Sequence, residues 1–357
     1  MILQYITAKE AAEKWNISQR RVSILCSENR IPNVAMLGNM WLIPREASKP
    51  QDARKEKFKK SSDTIRPFVK WAGGKGQLLD RLKSNLPNGI GKNVRKYAEP
   101  MVGGGALLFA LLNEYSFDEI YISDNNKELI NAYLVIKETC DGLIDVLNGM
   151  QLQYWNCENI DCKQNYYYEQ RNRFNSTALN ERTKIEKAAL FIFLNKTCFN
   201  GLYRVNKKGQ FNVPFGKHEK PTICDTENLT RLHSALQKVK IKHCDYREVL
   251  DFADASTFVY IDPPYRPLST TSSFTSYTEE PFNDNEQIEL ASIYKQLSDK
   301  GAKVMLSNSD PHNVNEEDNF FDDLYSEFNI ERVEASRMIN SRASARGKIK
   351  ELIIKNY

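Results

Sequence analysis

A chain of 357 residues, 41% hydrophobic and 11% aromatic, has the make-up of a folded globular protein with room for one large domain and a small one, which argues against a disordered chain. Its formal charge of +4, from 50 basic against 46 acidic residues, permits nucleic-acid binding without demanding it. Seven scattered cysteines argue against a disulfide framework and for a reducing compartment, and the lack of a long apolar span or signal-peptide pattern leads to the expectation of a cytoplasmic protein without membrane contact.

Residues 1–48 read as a separate module. Thr7 to Glu10 has capping-box spacing and opens a helix through Trp15, and Ser18 introduces a second helix from Gln19 toward Glu28. Two short helices joined by a tight turn form a helix-turn-helix. The Gly38-Asn39 pair between Val34-Ala35-Met36 and Met40 to Ile43 predicts a hairpin wing. The module resembles the small winged helix-turn-helix domains of excisionase and MerR type, which makes Arg20 and Arg21 candidates for DNA contact. A helical protein-interaction module is the alternative. Residues 49–66, charged and poor in large aliphatics, read as a solvated linker.

The larger domain, 67–357, opens with Phe68-Val69-Lys70-Trp71-Ala72-Gly73-Gly74-Lys75 and a helical pattern from Gln77 to Leu86. A glycine pair ahead of a helix exposes backbone N–H groups that suit an anion, with Lys75 adding charge and Trp71 an apolar wall, although Gly-Gly also makes ordinary turns. Tyr97 to Glu99 reads as a strand; Pro100 to Gly105 is a glycine-rich turn before the apolar helix Leu107 to Asn113, and Ile120 to Asp124 is a second strand ending in an acid. Strand, glycine turn, helix and an acid about twenty residues on form the opening of a nucleotide-binding α/β fold, in which Asp124 is placed for ribose hydroxyls. Dinucleotide oxidoreductases share that pattern, so it leaves the cofactor class open.

From Lys127 to about Asn195 the chain is largely helical, with Tyr166, Tyr167 and Tyr168 assigned to packing. Asn195 to Lys217 mixes aromatics, amides and bases around glycine turns, the pattern of a β-hairpin that enters a DNA groove, with Arg204 suited to guanine and Lys207, Lys208 and Lys217 to phosphates. A basic surface hairpin is the plainer alternative. Cys157 and Cys162 lack a second pair at ligand spacing, so no metal is expected. Strands follow at Val239 to Ile241, ahead of Asp245, and at Ser256 to Asp262; later come a helix Asn285 to Asp299, a strand Ala302 to Asn308, a helix Phe320 to Phe328, and strands Ile330 to Ala335 and Lys348 to Lys355. Hydroxyl-rich Leu268 to Tyr277 and basic Ser336 to Lys348 read as loops.

The apolar run Thr257 to Ile261 delivers Asp262, Pro263, Pro264 and Tyr265 to a strand's end, where the two prolines stiffen the turn. Asp262 and the Pro263 carbonyl are suited to hold the hydrogens of an exocyclic amine, and Tyr265 to stack on an extruded base. A stiff surface loop is the alternative for this tetrapeptide taken alone.

Together the motifs Phe68 to Lys75, Glu99 to Gly105, Asn200-Gly201-Leu202-Tyr203-Arg204 with Phe211 to Gly216, and Asp262 to Tyr265 resemble the Dam-type DNA adenine methyltransferases over about Phe68 to Tyr357. The resemblance implies a Rossmann-like S-adenosylmethionine-dependent sheet with a target-recognition region, about 140–225, inserted in it. It implies methyl transfer to the 6-amino group of adenine in duplex DNA, within a GATC-like site, by base flipping. Trp71, Ala72, Gly73, Gly74, Lys75, Glu99, Gly103, Gly105, Asp124, Asp245 and Asp262 are its implied cofactor residues, with Asp124 at the ribose and Asp245 at the adenine end. Asp262 to Tyr265 are its implied catalytic residues, and Lys70, Asn200, Leu202, Arg204 and Pro214 its DNA readers. Met101 departs from the family's usual aromatic, and the first module is no part of the usual catalytic unit. A restriction endonuclease is a candidate partner. Rival functions are methylation of RNA or of a cytosine amine, and a DNA-binding regulator whose Rossmann-like domain senses a ligand.

Overall fold

The computed structural model describes residues 5–15, 17–28, 30–38, 40–50, 64–71, 73–266, 282–336 and 348–357. Asn39, Ala72, most of the linker, the hydroxyl-rich segment from Leu268 and the basic segment from Arg337 to Gly347 lie outside the described residues. The chain divides into two compact units, Met1–Thr64 and Ile65–Tyr357.

The first unit contains β1 (Tyr5–Thr7), α1 (Ala8–Trp15), α2 (Gln19–Ser27), β2 (Ala35–Leu37) and β3 (Met40–Pro44), with the strands in the antiparallel order β1-β3-β2. Local chemistry sets the helix starts. Glu10 Oε2 accepts the Thr7 amide at 2.7 Å while Thr7 Oγ1 accepts the Glu10 amide at 3.3 Å, a reciprocal capping box. Ser18 Oγ accepts the Arg21 amide and starts α2. Trp15, Val22, Leu25 and Ile43 are among the residues that fill the small core, and Arg20 is exposed.

The second unit is built on a seven-stranded sheet of β4 (Lys96–Glu99), β5 (Glu119–Asp124), β6 (Val239–His243), β7 (Thr257–Ile261), β8 (Lys303–Ser309), β9 (Asn329–Ser336) and β10 (Lys348–Lys355). Their order is β6-β5-β4-β7-β8-β10-β9; the first five run parallel, and β10 lies antiparallel between β8 and β9. Alternation along the strands covers both faces. Tyr97, Ile120, Phe258, Tyr260 and Met305 belong to one apolar cluster, whereas Ala98, Tyr121, Val259, Ile261 and Leu306 belong to the other. A sheet buried on both sides needs such near-continuous apolar strands. The helices of this unit are α3 (Leu79–Ser84), α4 (Ala106–Leu112), α5 (Lys127–Glu138), α6 (Cys140–Trp155), α7 (Ile160–Ser176), α8 (Lys184–Thr197), α9 (Thr226–Leu236), α10 (Val249–Phe252), α11 (Asp284–Asp299) and α12 (Phe320–Leu324).

Two helices are shorter than their sequence patterns. In place of one helix from Gln77 to Leu86 there is a tight 3-10 turn, Lys75–Gln77, followed by six-residue α3. Asn85 Nδ2 bonds the Arg81 carbonyl there, and Pro87 disfavours helical geometry at Leu86. Likewise α12 ends at Leu324, where Tyr325 turns inward to pack edge-on against Tyr294, 5.3 Å away.

Candidate active site

The chain passes from β4 outward to β5 and β6, then returns to place β7 on the other side of β4. Beyond the carboxyl ends of β4 and β7 is the switch point where connections diverge, the usual place for a ligand crevice in open α/β sheets. Glycine-rich Gly103 to Gly105 follows β4, and Asp262 follows β7.

Register then gives Asp262 its neighbours. Ile261 lies opposite Leu306, so Asp262 emerges beside Ser307, whose hydroxyl donates to Asp262 Oδ1 at 3.1 Å. The Tyr260 hydroxyl lies 2.8 Å from Ser307 Oγ and fixes it. Lys75, only 4% exposed, brings Nζ to 2.6 Å from the same Oδ1 and also donates to the Gly73 carbonyl at 2.7 Å. Both partners therefore occupy one carboxylate oxygen, and among the described residues none donates to Oδ2 or to the Pro263 carbonyl. Tyr265 lies under Lys75, its ring centroid 4.5 Å from Nζ, and its hydroxyl donates to Glu351 at 2.5 Å. The turn is pinned on both sides: Gln287 Nε2 donates to the Pro264 carbonyl at 3.1 Å, and Arg266 bonds Asp284 and Asp318.

Burial raises the pKa of Asp262, while the Lys75 charge and the Lys75 and Ser307 hydrogen bonds hold it down. Burial drives Glu99 well above the ordinary carboxylate range; Asp262's charge adds to this, and the Tyr97 hydroxyl, the Leu108 amide and Lys75 oppose it. Glu99 is buried and accepts from the Tyr97 hydroxyl at 3.0 Å.

On the glycine side, Gly103 and Gly105 both have positive φ, +48° and +67°. A Cβ on Gly103 would stand 2.7 Å from Trp71 Cδ1, so the indole rests directly on the turn. Asp124, at the end of β5, accepts the Gly103 amide on Oδ2 at 3.0 Å and the Asn126 amide on Oδ1 at 2.9 Å, leaving each oxygen a further lone pair. The glycine pair departs from its expected role: Gly74's amide bonds the Trp71 carbonyl, and short α3 offers little helix dipole, so Lys75 provides the positive charge. Asp245 lies beyond β6 and caps the turn Tyr246–Glu248; its carboxylate accepts Arg247's amide at 2.9 Å and its guanidinium at 2.6 Å.

The hairpin stands on α7 and α8. Isolated bridges join its strands, Cys198 to Phe215 and Val205 to Phe211. Helix side chains supply further support: Tyr167's hydroxyl donates to the Val213 carbonyl at 2.8 Å, and Asn175 bonds both backbone groups of Phe211. Tyr203, Phe211, Val213 and Phe215 are buried; Asn200, Arg204 and Pro214 are exposed, and Leu202 is half-buried. Arg204 Nε donates to Asn212 Oδ1 at 2.8 Å, which orients the guanidinium. Lys207 and Lys208 are exposed at the tip, where Gly209, at φ +70°, closes the turn. Lys70 joins this group, because Asn195 bonds its amide and carbonyl at 2.8 Å and the Gly201 carbonyl at 2.9 Å.

Residues 71–339 match the family model described as D12 class N6 adenine-specific DNA methyltransferase. The chain belongs to that family. It is 48% identical over 295 residues to the Type II methyltransferase M.MjaIII of Methanocaldococcus jannaschii, covering 82% of this chain and 99% of that one. It is 38% identical to M1.LlaDCHI of Lactococcus lactis subsp. cremoris (84% and 98% covered) and 33% identical to the DNA adenine methylase of Escherichia coli strain K12 (81% and 94% covered). An adenine-specific DNA methyltransferase accounts for the mostly parallel sheet and displaces the dinucleotide oxidoreductase and ligand-sensing regulator as readings of the glycine turn. Among the described residues of this methyltransferase, no helix is long and apolar enough to cross a membrane. The sequence does not single out Ser307, Gln287 or Glu351, and it offers Tyr203 only as part of the hairpin motif, without a role. The signal for Ser307 was a polar residue at the carboxyl end of an apolar strand; for Glu351 there was only an acid amid Lys348 to Lys355.

Proposed function

We propose that this methyltransferase takes S-adenosylmethionine and methylates the 6-amino group of an adenine extruded from duplex DNA, within a GATC-like site. The observation that carries the reading is the one-sided pairing of Asp262, with Lys75 and Ser307 on Oδ1 and no described donor on Oδ2. The cofactor fits the crevice in its chemistry: a glycine turn with no room for a side chain at Gly103, acceptor lone pairs on Asp124, and a buried cation at Lys75. When bound, the sulfonium supplies an electrophilic methyl group.

The adenine amine is a weak nucleophile because its lone pair is delocalised into the ring. Asp262 Oδ2 and the Pro263 carbonyl accept its two hydrogens and localise that pair on nitrogen, and the carboxylate stabilises the positive charge that grows there as the N–C bond forms and the S–C bond breaks; S-adenosylhomocysteine leaves, and one amine proton passes to solvent to give neutral N6-methyladenine. Tyr265, its hydroxyl tied to Glu351, offers a fixed face to the base in place of lost stacking. Arg204, Leu202, Pro214 and Asn200 read base edges, Lys70 meets the outer guanine, and Lys207, Lys208 and Lys217 meet phosphates. Sequencing the modified bases in DNA from cells expressing the protein tests this reading: N6-methyladenine confined to GATC supports it, and modification elsewhere to the same extent refutes it.

The Met1–Thr64 unit acts in this reading as a winged helix-turn-helix that adds DNA contacts through Arg20 and Arg21. Removing residues 1–60 then lowers the salt dependence of DNA binding, because fewer phosphates are neutralised; an unchanged slope favours a protein partner. The likeness to proteins named as type II methyltransferases supports a role beside a cognate endonuclease.

A further inference from the structure

Tyr203 carries no chemistry in the proposed reaction, yet it connects its two halves. It sits between Leu202 and Arg204 on the hairpin and is only 7% exposed. Its ring stacks on Trp71, with centroids 5.6 Å apart and planes 23° apart. On its other sides it packs against Phe191 at 5.5 Å and Phe211 at 5.7 Å. Trp71 in turn lies on Gly103 and Gly104, where a Cβ would come within 2.7 and 3.1 Å of it. One buried ring therefore backs the Trp71 wall of the glycine-turn crevice, which reaches Asp124 through the Gly103 amide, while Arg204 beside it in the chain is exposed and Leu202 half-buried. Close-packed side chains transmit displacement, because no void absorbs it. A ligand seated against Trp71 bears on Tyr203, and Tyr203 cannot shift without moving Leu202 and Arg204.

We infer that Tyr203 is a positioning residue that couples the Trp71–Asp124 crevice to the Leu202–Arg204 edge, so that filling the crevice tightens binding of the cognate duplex. The inference rests on the reading in which the crevice takes S-adenosylmethionine and the hairpin reads DNA. The test measures the Kd of a GATC duplex, and of one with a single changed base pair, by fluorescence anisotropy with and without S-adenosylhomocysteine. Full-length wild type, Tyr203→Phe and Tyr203→Leu are compared. In wild type S-adenosylhomocysteine tightens GATC binding at least about fivefold, as typical coupling energies imply. Tyr203→Phe, which keeps the stack, retains most of that factor. Tyr203→Leu falls to within about twofold of no coupling, with its affinities for S-adenosylhomocysteine and for the altered duplex preserved, since coupling belongs to neither site alone.

A Tyr203→Leu protein with the wild-type factor overturns the inference. If that variant melts early, Tyr203→Met fills the volume without a stacked ring and is held to the same outcome. A wild type that prefers GATC but shows no dependence on S-adenosylhomocysteine sinks the coupling and leaves the functional reading standing. A wild type with neither preference nor cofactor affinity sinks both.

Discussion

Lys75→Met deletes the cation beside Asp262 and keeps most of the apolar stem. Taking one partner from a buried ion pair costs about 3–5 kcal/mol. Lys75's side chain is 5% exposed, but Asp262 keeps 21% of its side-chain surface and can take up a proton, so the low end applies, about 3 kcal/mol. At about 2–4 °C per kcal/mol for a domain of this size, the Tm falls by roughly 6–12 °C. The loss depends on pH. Burial already raises Asp262, with Lys75 opposing, and removing Lys75 raises it further. A carboxyl whose folded pKa lies above its unfolded value supports the fold below the unfolded pKa and loses that support as pH rises through the folded pKa. The gap between variant and wild type therefore widens as pH rises through the raised Asp262 pKa and narrows in acid. Adding Asp262→Asn removes the stranded charge and recovers more than half of the loss. Circular-dichroism melts across a pH series measure wild type and the two variants. A Tm deficit that is flat with pH and untouched by Asp262→Asn would show that Lys75 acts by packing, not as a counter-ion.

Gly103→Ala forces a side chain into positive φ, at about 1–2 kcal/mol, and drives Trp71 from the turn; calorimetry should show weaker S-adenosylmethionine binding with the fold intact, and unchanged affinity would remove the turn from the cofactor site. Arg204→Ala should lose about 1–3 kcal/mol of discrimination against one wrong base pair, read as kcat/KM ratios on singly altered duplexes. Lys207→Ala and Lys208→Ala should instead weaken all duplexes alike and reduce the salt slope by about one each, as phosphate contacts do. Lysines whose loss changes preference without changing the slope would contradict that assignment.

Much of the second unit was legible because parallel strands buried on both faces must be apolar runs, and Tyr97 to Glu99, Ile120 to Asp124 and Thr257 to Ile261 are such runs ended by acids. Glycine turns mark the crevice for the same steric reason that Gly103 tolerates no Cβ. Which donor each carboxylate meets was not legible, since that depends on register and long-range packing. Lys75 reads as a cofactor residue in sequence, and its pairing with Asp262 shows only in the structure. Ser307 reaches Asp262 only through the β7–β8 register, and Asp245's nearest partner is Arg247, two residues on. Tyr203 looks like one aromatic among several until its stack on Trp71 is seen.

The central claim is that Asp262 presents a free carboxylate oxygen to the target amine. Single-turnover methyl transfer to a GATC duplex by Asp262→Asn, alongside calorimetric S-adenosylmethionine binding, tests it most directly. The substitution keeps the side chain's size but lowers the acceptor's charge, and one outer atom becomes a donor. The expected methyl-transfer rate is lower by at least about a hundredfold, as for loss of one preorganised electrostatic partner, with cofactor affinity within a few-fold of wild type. A variant that methylates at the wild-type rate, or whose rate falls only in proportion to lost cofactor binding, would contradict it.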